Sequence, residues 1–157
     1  MNEQIRQRLA DLGLELPRLP APRYQYEPAT RTGDLWFFSG KTPIVAGTVQ
    51  HPGRLGDLSV DEGQQAARIA ALNLLAAIDT ELGLENVTRV LKITGFVASA
   101  DGFVEQPKVV DAASQLLVDV LGDAGRHARS AVGVAWLPGN AAVEVEAIVS
   151  GEGKEMA

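Results

Sequence analysis

The sequence predicts an α+β domain, in which a β-sheet carries two long helices on one of its faces. Two stretches, residues 59–83 and 107–122, repeat apolar side chains at helical spacing and end on a glycine. Shorter apolar runs lie before, between and after them, giving the order β-β-α-β-α-β-β. At 157 residues the chain fits one domain, long enough to bury a core without metal or disulfide support.

Ile5, Leu9 and Leu12 predict a short amphipathic helix over about residues 2–13, in front of the domain. Pro17, Pro20 and Pro22 then impose an extended connector, because each fixes φ and removes a backbone donor. Residues 35–39 read as a strand closed by Gly40 and Pro43, and residues 45–50 as a weaker strand before the glycine-rich loop 51–57. The first long helix opens on a capping box. Ser59 and Glu62 stand three apart, so the hydroxyl and the carboxylate each satisfy a free amide of the first turn. Ala66, Ile69, Ala70, Asn73, Ala76 and Ala77 lie along its apolar stripe, and Gly83 ends it. Residues 87–99 form the next strand. Pro107 suits the first turn of the second helix, whose apolar side holds Val109, Ala113, Leu116, Leu117 and Val120.

The last two strands, residues 129–136 and 142–149, meet at Leu137, Pro138, Gly139 and Asn140 and are expected to form a hairpin. With Pro138 and Gly139 as its loop, Ala135 would pair with Ala142, Gly133 with Glu144 and Ala131 with Glu146. Alternation then sorts the side chains. One face collects Ser130, Val132, Val134 and Trp136 with Val143, Val145, Ala147 and Val149, and belongs under the helices. The other collects Arg129, Ala131, Gly133 and Ala135 with Glu144 and Glu146. Such small residues beside an arginine and two carboxylates predict a ligand or another subunit lying against that face.

Composition removes several functions. No cysteine is present, so disulfides, thiolate zinc sites and cysteine nucleophiles are excluded. A net charge of -6 argues against general binding to nucleic acid, although residues 126–129 form a local basic spot. The first twenty residues show no secretory apolar core, and no run reaches the roughly 18 apolar residues of a membrane span. A cytoplasmic location is the expectation. Two separated histidines, His51 and His127, give no metal site.

Arg129 and Ser130, then residues 132–138 and 143–148, resemble the C-terminal signature of the Rid family (YjgF/YER057c/UK114). Ser39 with Gly40, the helix 64–75 ending in Asn-Leu-Leu, and residues 92–97 agree, so the resemblance covers about residues 26–149. Residues 125–133 are more similar to a longer bacterial branch of chorismate-mutase-like proteins bearing an endoribonuclease name. The resemblance implies a chorismate-mutase-like fold with a mixed sheet, a homotrimer, and a cleft between each pair of subunits. It implies that Arg129 grips a substrate carboxylate, Glu144 helps position water, Ser39, Gly40 and Tyr26 line the pocket, and Ala131 offers backbone groups. No cofactor is implied. The chain departs from the pattern in three places. Tyr26 lies in Tyr-Gln-Tyr-Glu-Pro, Pro107 replaces a frequent asparagine, and His127 replaces a proline beside the arginine.

Each residue also has a plainer reading. Arg129 anchors a ligand or only pairs with a carboxylate. Glu144 is a base or a structural acid, and its spacing from Glu146 favours a raised pKa. His127 is a substrate contact or acid/base catalyst in the cleft or a surface or capping group of its loop, Lys41 a cleft cation or a solvated one, and Tyr26 a cover or a staple. Three functions follow. The first is hydrolysis of reactive imines or enamines of small carboxylic acids to keto acids and ammonia. The second is binding of such keto or imino acids without turnover. The third, an endoribonuclease, is disfavoured by the acidic charge and the lack of a histidine pair.

Overall fold

The computed structural model describes residues 1–153. Helix α1 (Glu3–Asp11) starts at Asn2, whose side chain accepts the Ile5 amide, and buries Ile5 and Leu9 in the core beside the second long helix. Strands β1 (Ala29–Thr32) and β2 (Leu35–Lys41) follow. The weak strand expected near residue 45 is a two-stranded ribbon, β3 (Ile44–Val45) with β4 (Thr48–Val49), outside the main sheet. Helix α2 (Val60–Glu81) carries the capping box, with the Ser59 amide donating to Glu62 at 2.8 Å and the Glu62 amide to the Ser59 hydroxyl at 3.2 Å. Strand β5 (Val87–Ala98), helix α3 (Gln106–Leu121), and strands β6 (Ala128–Val134) and β7 (Val143–Gly151) complete the order.

One mixed five-stranded sheet runs β1-β2-β7-β5-β6. Only the β5–β6 pair is parallel, joined through α3 as a β-α-β crossover. Both long helices lie on one face, as the α+β pattern predicts. Alanines line the buried side of α2, with Ala66, Ala67, Ala70 and Ala71 fully enclosed. Their small volume lets α2 approach both α3 and the sheet. Gly95 of β5 serves the same end, since a Cβ there would stand 2.5 Å from a methyl of Val110 on α3.

The expected C-terminal hairpin does not form. β6 and β7 run antiparallel to each other but flank β5. The segment between them crosses the end of β5, where Ser99 donates to Val134 and Ala98 to Ala142. Pro138–Asn140 makes a tight turn with Gly139 and Asn140 both at positive φ. A turn signal fixes a reversal of direction, not adjacency, and proline-glycine is not the pair that two-residue hairpins prefer.

The face assignment therefore holds for β7 and inverts for β6. Val143, Val145, Ala147 and Val149 are buried under the helices. On β6 it is Arg129, Ala131 and Gly133 that turn to the helix side, in register with Ile93, Gly95 and Val97. Val132 lies on the opposite, open face and is 41% exposed. That open face is covered by no second layer among the described residues. It presents Phe37, 43% exposed, with Ile148, Phe96 and Val132 among Thr94, Glu144 and Glu146.

Candidate functional site

The predicted residues fall into two clusters. The first surrounds Arg129 at the start of β6. Its side chain is 24% exposed and reaches back over the N-terminal half of α3. Nη1 donates to Asp111 Oδ1 at 3.2 Å and to the Ser114 hydroxyl at 3.1 Å, and Nη2 to the Pro107 carbonyl at 3.4 Å. Among the described residues Arg129 does not pair with Glu144 or Glu146, the carboxylates that the hairpin register set on its face. Its carboxylate partner is Asp111, whose exposure leaves the ion pair little net worth.

His127 belongs to this cluster and is no free loop residue. Nδ1 lies 2.5 Å from the Gly125 carbonyl and Nε2 2.9 Å from the Ser114 hydroxyl. A carbonyl only accepts, so Nδ1 carries the hydrogen and, in the neutral ring, Nε2 accepts from Ser114. Burial holds the His127 pKa below its usual value; the Gly125 contact opposes this and Arg129 adds to it. Ser114, Val118, Arg126, His127 and Arg129 line an open cleft of about 270 Å³. Ala131, two residues on, packs against the core beneath α3, so only its backbone could serve a ligand.

The second cluster lies across β5, on the open face. β2 bulges between Phe38 and Lys41, which places Ser39 and Gly40 in the irregular step. Glu144 of β7 lies over Gly40, and a Cβ at Gly40 would overlap its carboxylate. Burial raises the Glu144 pKa above the usual range, neighbouring Glu146 raises it further, and Lys41 pulls it down. That is the coupling the Glu-x-Glu spacing predicted, although burial contributes more. Ser39 spends its hydroxyl on the Glu27 carbonyl at 2.6 Å and its amide on the Pro28 carbonyl. It thereby ties the segment next to Tyr26, which is 48% exposed. Lys41 is half-buried instead of solvated; burial depresses its pKa, while Glu81 and Glu144 oppose this.

Arg129 and Glu144 thus stand on opposite faces of one sheet, with β5 between their strands. Sequence reasoning missed Asp111 and Ser114. They sit three apart on the polar edge of α3, and that edge carries no signal until β6 is known to lie beside it.

A mixed sheet covered on one face by two long helices, with its second face open and an arginine on its edge strand, has the architecture of the chorismate-mutase-like class. The sequence pattern described as YjgF/chorismate mutase-like, putative endoribonuclease matches residues 6–149, and the chain belongs to that family. The match takes in most of α1. Protein TCP17 of Trypanosoma cruzi is 44% identical over 146 residues, covering 90% of each chain. The crystal structure of the protein Atu1372 of Agrobacterium tumefaciens superposes with a TM-score of 0.86 at 42% identity, over 96% of this chain and 94% of that one. A Shewanella oneidensis protein described as a putative endoribonuclease gives a TM-score of 0.88 at 32% identity, over 93% and 98%. No helix among the described residues is long and apolar enough to cross a membrane.

Proposed function

We propose that this protein captures small keto or imino acids by their carboxylate on Arg129, in a cleft completed by a second copy of the chain, and hydrolyses the imines. One observation carries the reading: a half-buried guanidinium, held by three acceptors of α3, whose Nε–H has no partner among the described residues. Two hydrogens of Nη1 and one of Nη2 are engaged, which leaves Nε–H and one Nη2–H. These two can grip both oxygens of a carboxylate side-on. The cleft beside them suits a ligand of a few heavy atoms.

The hydrolysis needs a positioned water and a base. Water adds to the carbon of the protonated C=N group, a proton passes to nitrogen, and ammonia leaves as the carbonyl forms. Glu144 is the candidate base, because a carboxylate raised toward neutrality accepts a proton better than an ordinary one. One chain cannot bring Glu144 to a substrate on its own Arg129, since the two occupy opposite faces. A neighbour's open face can. The exposed Phe37 and Val132 supply an apolar surface for that assembly, in a homotrimer. Turnover of freshly generated 2-iminopropionate, scored against uncatalysed hydrolysis, tests the reading. A rate above background in wild type and none in Arg129→Ala supports it. Pyruvate binding without any rate would leave a carboxylate-binding module, and absence of both removes the site.

A further inference from the structure

Resting on that reading of Arg129, we propose that Ser114 and His127 are positioning residues which set the direction of the guanidinium, and that proton uptake by His127 strengthens carboxylate capture. The hydrogen bonds run in one direction. Arg129 Nη1 donates to the Ser114 oxygen, the Ser114 hydroxyl donates to His127 Nε2, and His127 Nδ1–H donates to the Gly125 carbonyl. Each member fixes the next. Gly125 sets the tautomer, the tautomer makes Nε2 an acceptor, and that acceptor draws the serine hydrogen away from Arg129. The serine lone pairs then face Nη1.

With Asp111 taking the other Nη1 hydrogen, the end of the guanidinium that involves Nη1 is closed to a ligand. Only the Nε–Nη2 edge remains for two parallel bonds. Loss of either Ser114 or His127 frees the arginine to turn, so a bound carboxylate must bear the entropy of ordering it.

Protonation changes two things together. His127 Nε2 becomes a donor to the Ser114 oxygen, which then accepts from both neighbours and turns its own hydrogen outward. A second positive charge also appears in the cleft wall beside Arg129. Both changes favour an anion. Arg129 on β6 and Arg126 in the turn before it share the cleft with His127, and the nearby charged groups on the packed elements are Asp111 on α3, Asp123 in that turn and Arg8 of α1. Arg126 and Asp123 neutralise each other at 3.3 Å, and Arg8 donates to the Val120 carbonyl at 3.2 Å. Asp111 already serves Arg129. Burial, opposed by the Gly125 contact and aided by Arg129, holds proton uptake by His127 below its ordinary range, and no ion pair among the described residues ties the ring to a carboxylate.

Full-length protein is tested with pyruvate by calorimetry between pH 5 and 8, and with the Arg129 Nε–H resonance followed by NMR without ligand. Ser114→Ala and His127→Phe should each weaken pyruvate binding at pH 7.5 by about three- to tenfold, the scale of one positioned hydrogen bond. Wild-type affinity should rise as pH falls below about 6.5, the ordinary histidine value. His127→Gln keeps an uncharged acceptor and should bind nearly as wild type at pH 7.5 without that rise, which separates His127 from Glu144 and every other titrating group. The Arg129 Nε–H resonance should move with the His127 ring in wild type and stay fixed in His127→Gln. Equal pyruvate affinity in His127→Phe and wild type at every pH overturns the proposal, as does an Arg129 resonance indifferent to the His127 titration. If wild type binds no pyruvate at all, carboxylate capture falls, and the NMR arm alone decides the positioning.

Discussion

The Glu144 carboxylate fills the space that a side chain at Gly40 would occupy, with Cδ only 2.9 Å from where a Cβ would stand. Gly40 does not have positive φ, so close approach, not backbone conformation, requires the glycine. Gly40→Ala should displace Glu144 and cost about 1–3 kcal/mol of stability, the usual scale of overpacking. Thermal unfolding read beside imine turnover checks this. Stability and turnover both unchanged would mean that Glu144 is not held where it acts.

Glu144 should also leave a mark on stability as a function of pH. Its folded pKa is raised, so the folded state holds a proton that the unfolded chain releases near the ordinary value of 4.5. Between 4.5 and the raised pKa the folded state binds more protons, and stability from this group falls as pH rises. Glu144→Gln should therefore unfold at a higher temperature than wild type at pH 7, with the difference closing below about pH 4.5. The same variant should lose about 10²–10⁴-fold in kcat, the range general base catalysis supplies. Stability gained together with activity lost is the signature of a functional carboxylate.

Arg129→Lys should raise KM as well as lower kcat, because an ammonium cannot form two parallel hydrogen bonds to a carboxylate. Steady-state kinetics and pyruvate calorimetry on the same preparation read both effects. A variant with unchanged KM would show that Arg129 acts only as a charge.

Assembly is predicted to depend on the open face. Phe37→Glu places a charge beside Ile148 on the open face and should lower the mass seen by light scattering from trimer to monomer at micromolar concentration. Gly133→Leu, which the hairpin register would have made a test of assembly, should act elsewhere. A Cβ at Gly133 would stand 2.8 Å from the Gln106 amide and 3.1 Å from the Ser99 hydroxyl, so it disturbs the start of α3. A trimer intact in Phe37→Glu would assign the interface to another surface.

The sequence alone determined the elements whose causes are local. The capping box at Ser59 and Glu62, the proline at the start of α3 and the glycine after it fix helix ends through backbone groups a few residues away. Alternation along β7 was legible because that strand lies inside the sheet, with one face under the helices. The residues matching the Rid signature were likewise legible, since a signature is read in order along the chain. What lay beyond reach was strand adjacency. Whether β6 pairs with β7 or with β5 depends on a crossover through α3 and on which pairing buries more of the sheet, and neither is written near residues 137–140. That one choice decided the rest. It turned Arg129 toward the helices instead of toward Glu144, brought Asp111, Ser114 and His127 around the guanidinium, and placed Arg129 and Glu144 on opposite faces of one sheet. Side-chain identity is local, but which side of a strand meets which neighbour is settled only by long-range pairing, where a single change of partner reverses every residue's surroundings.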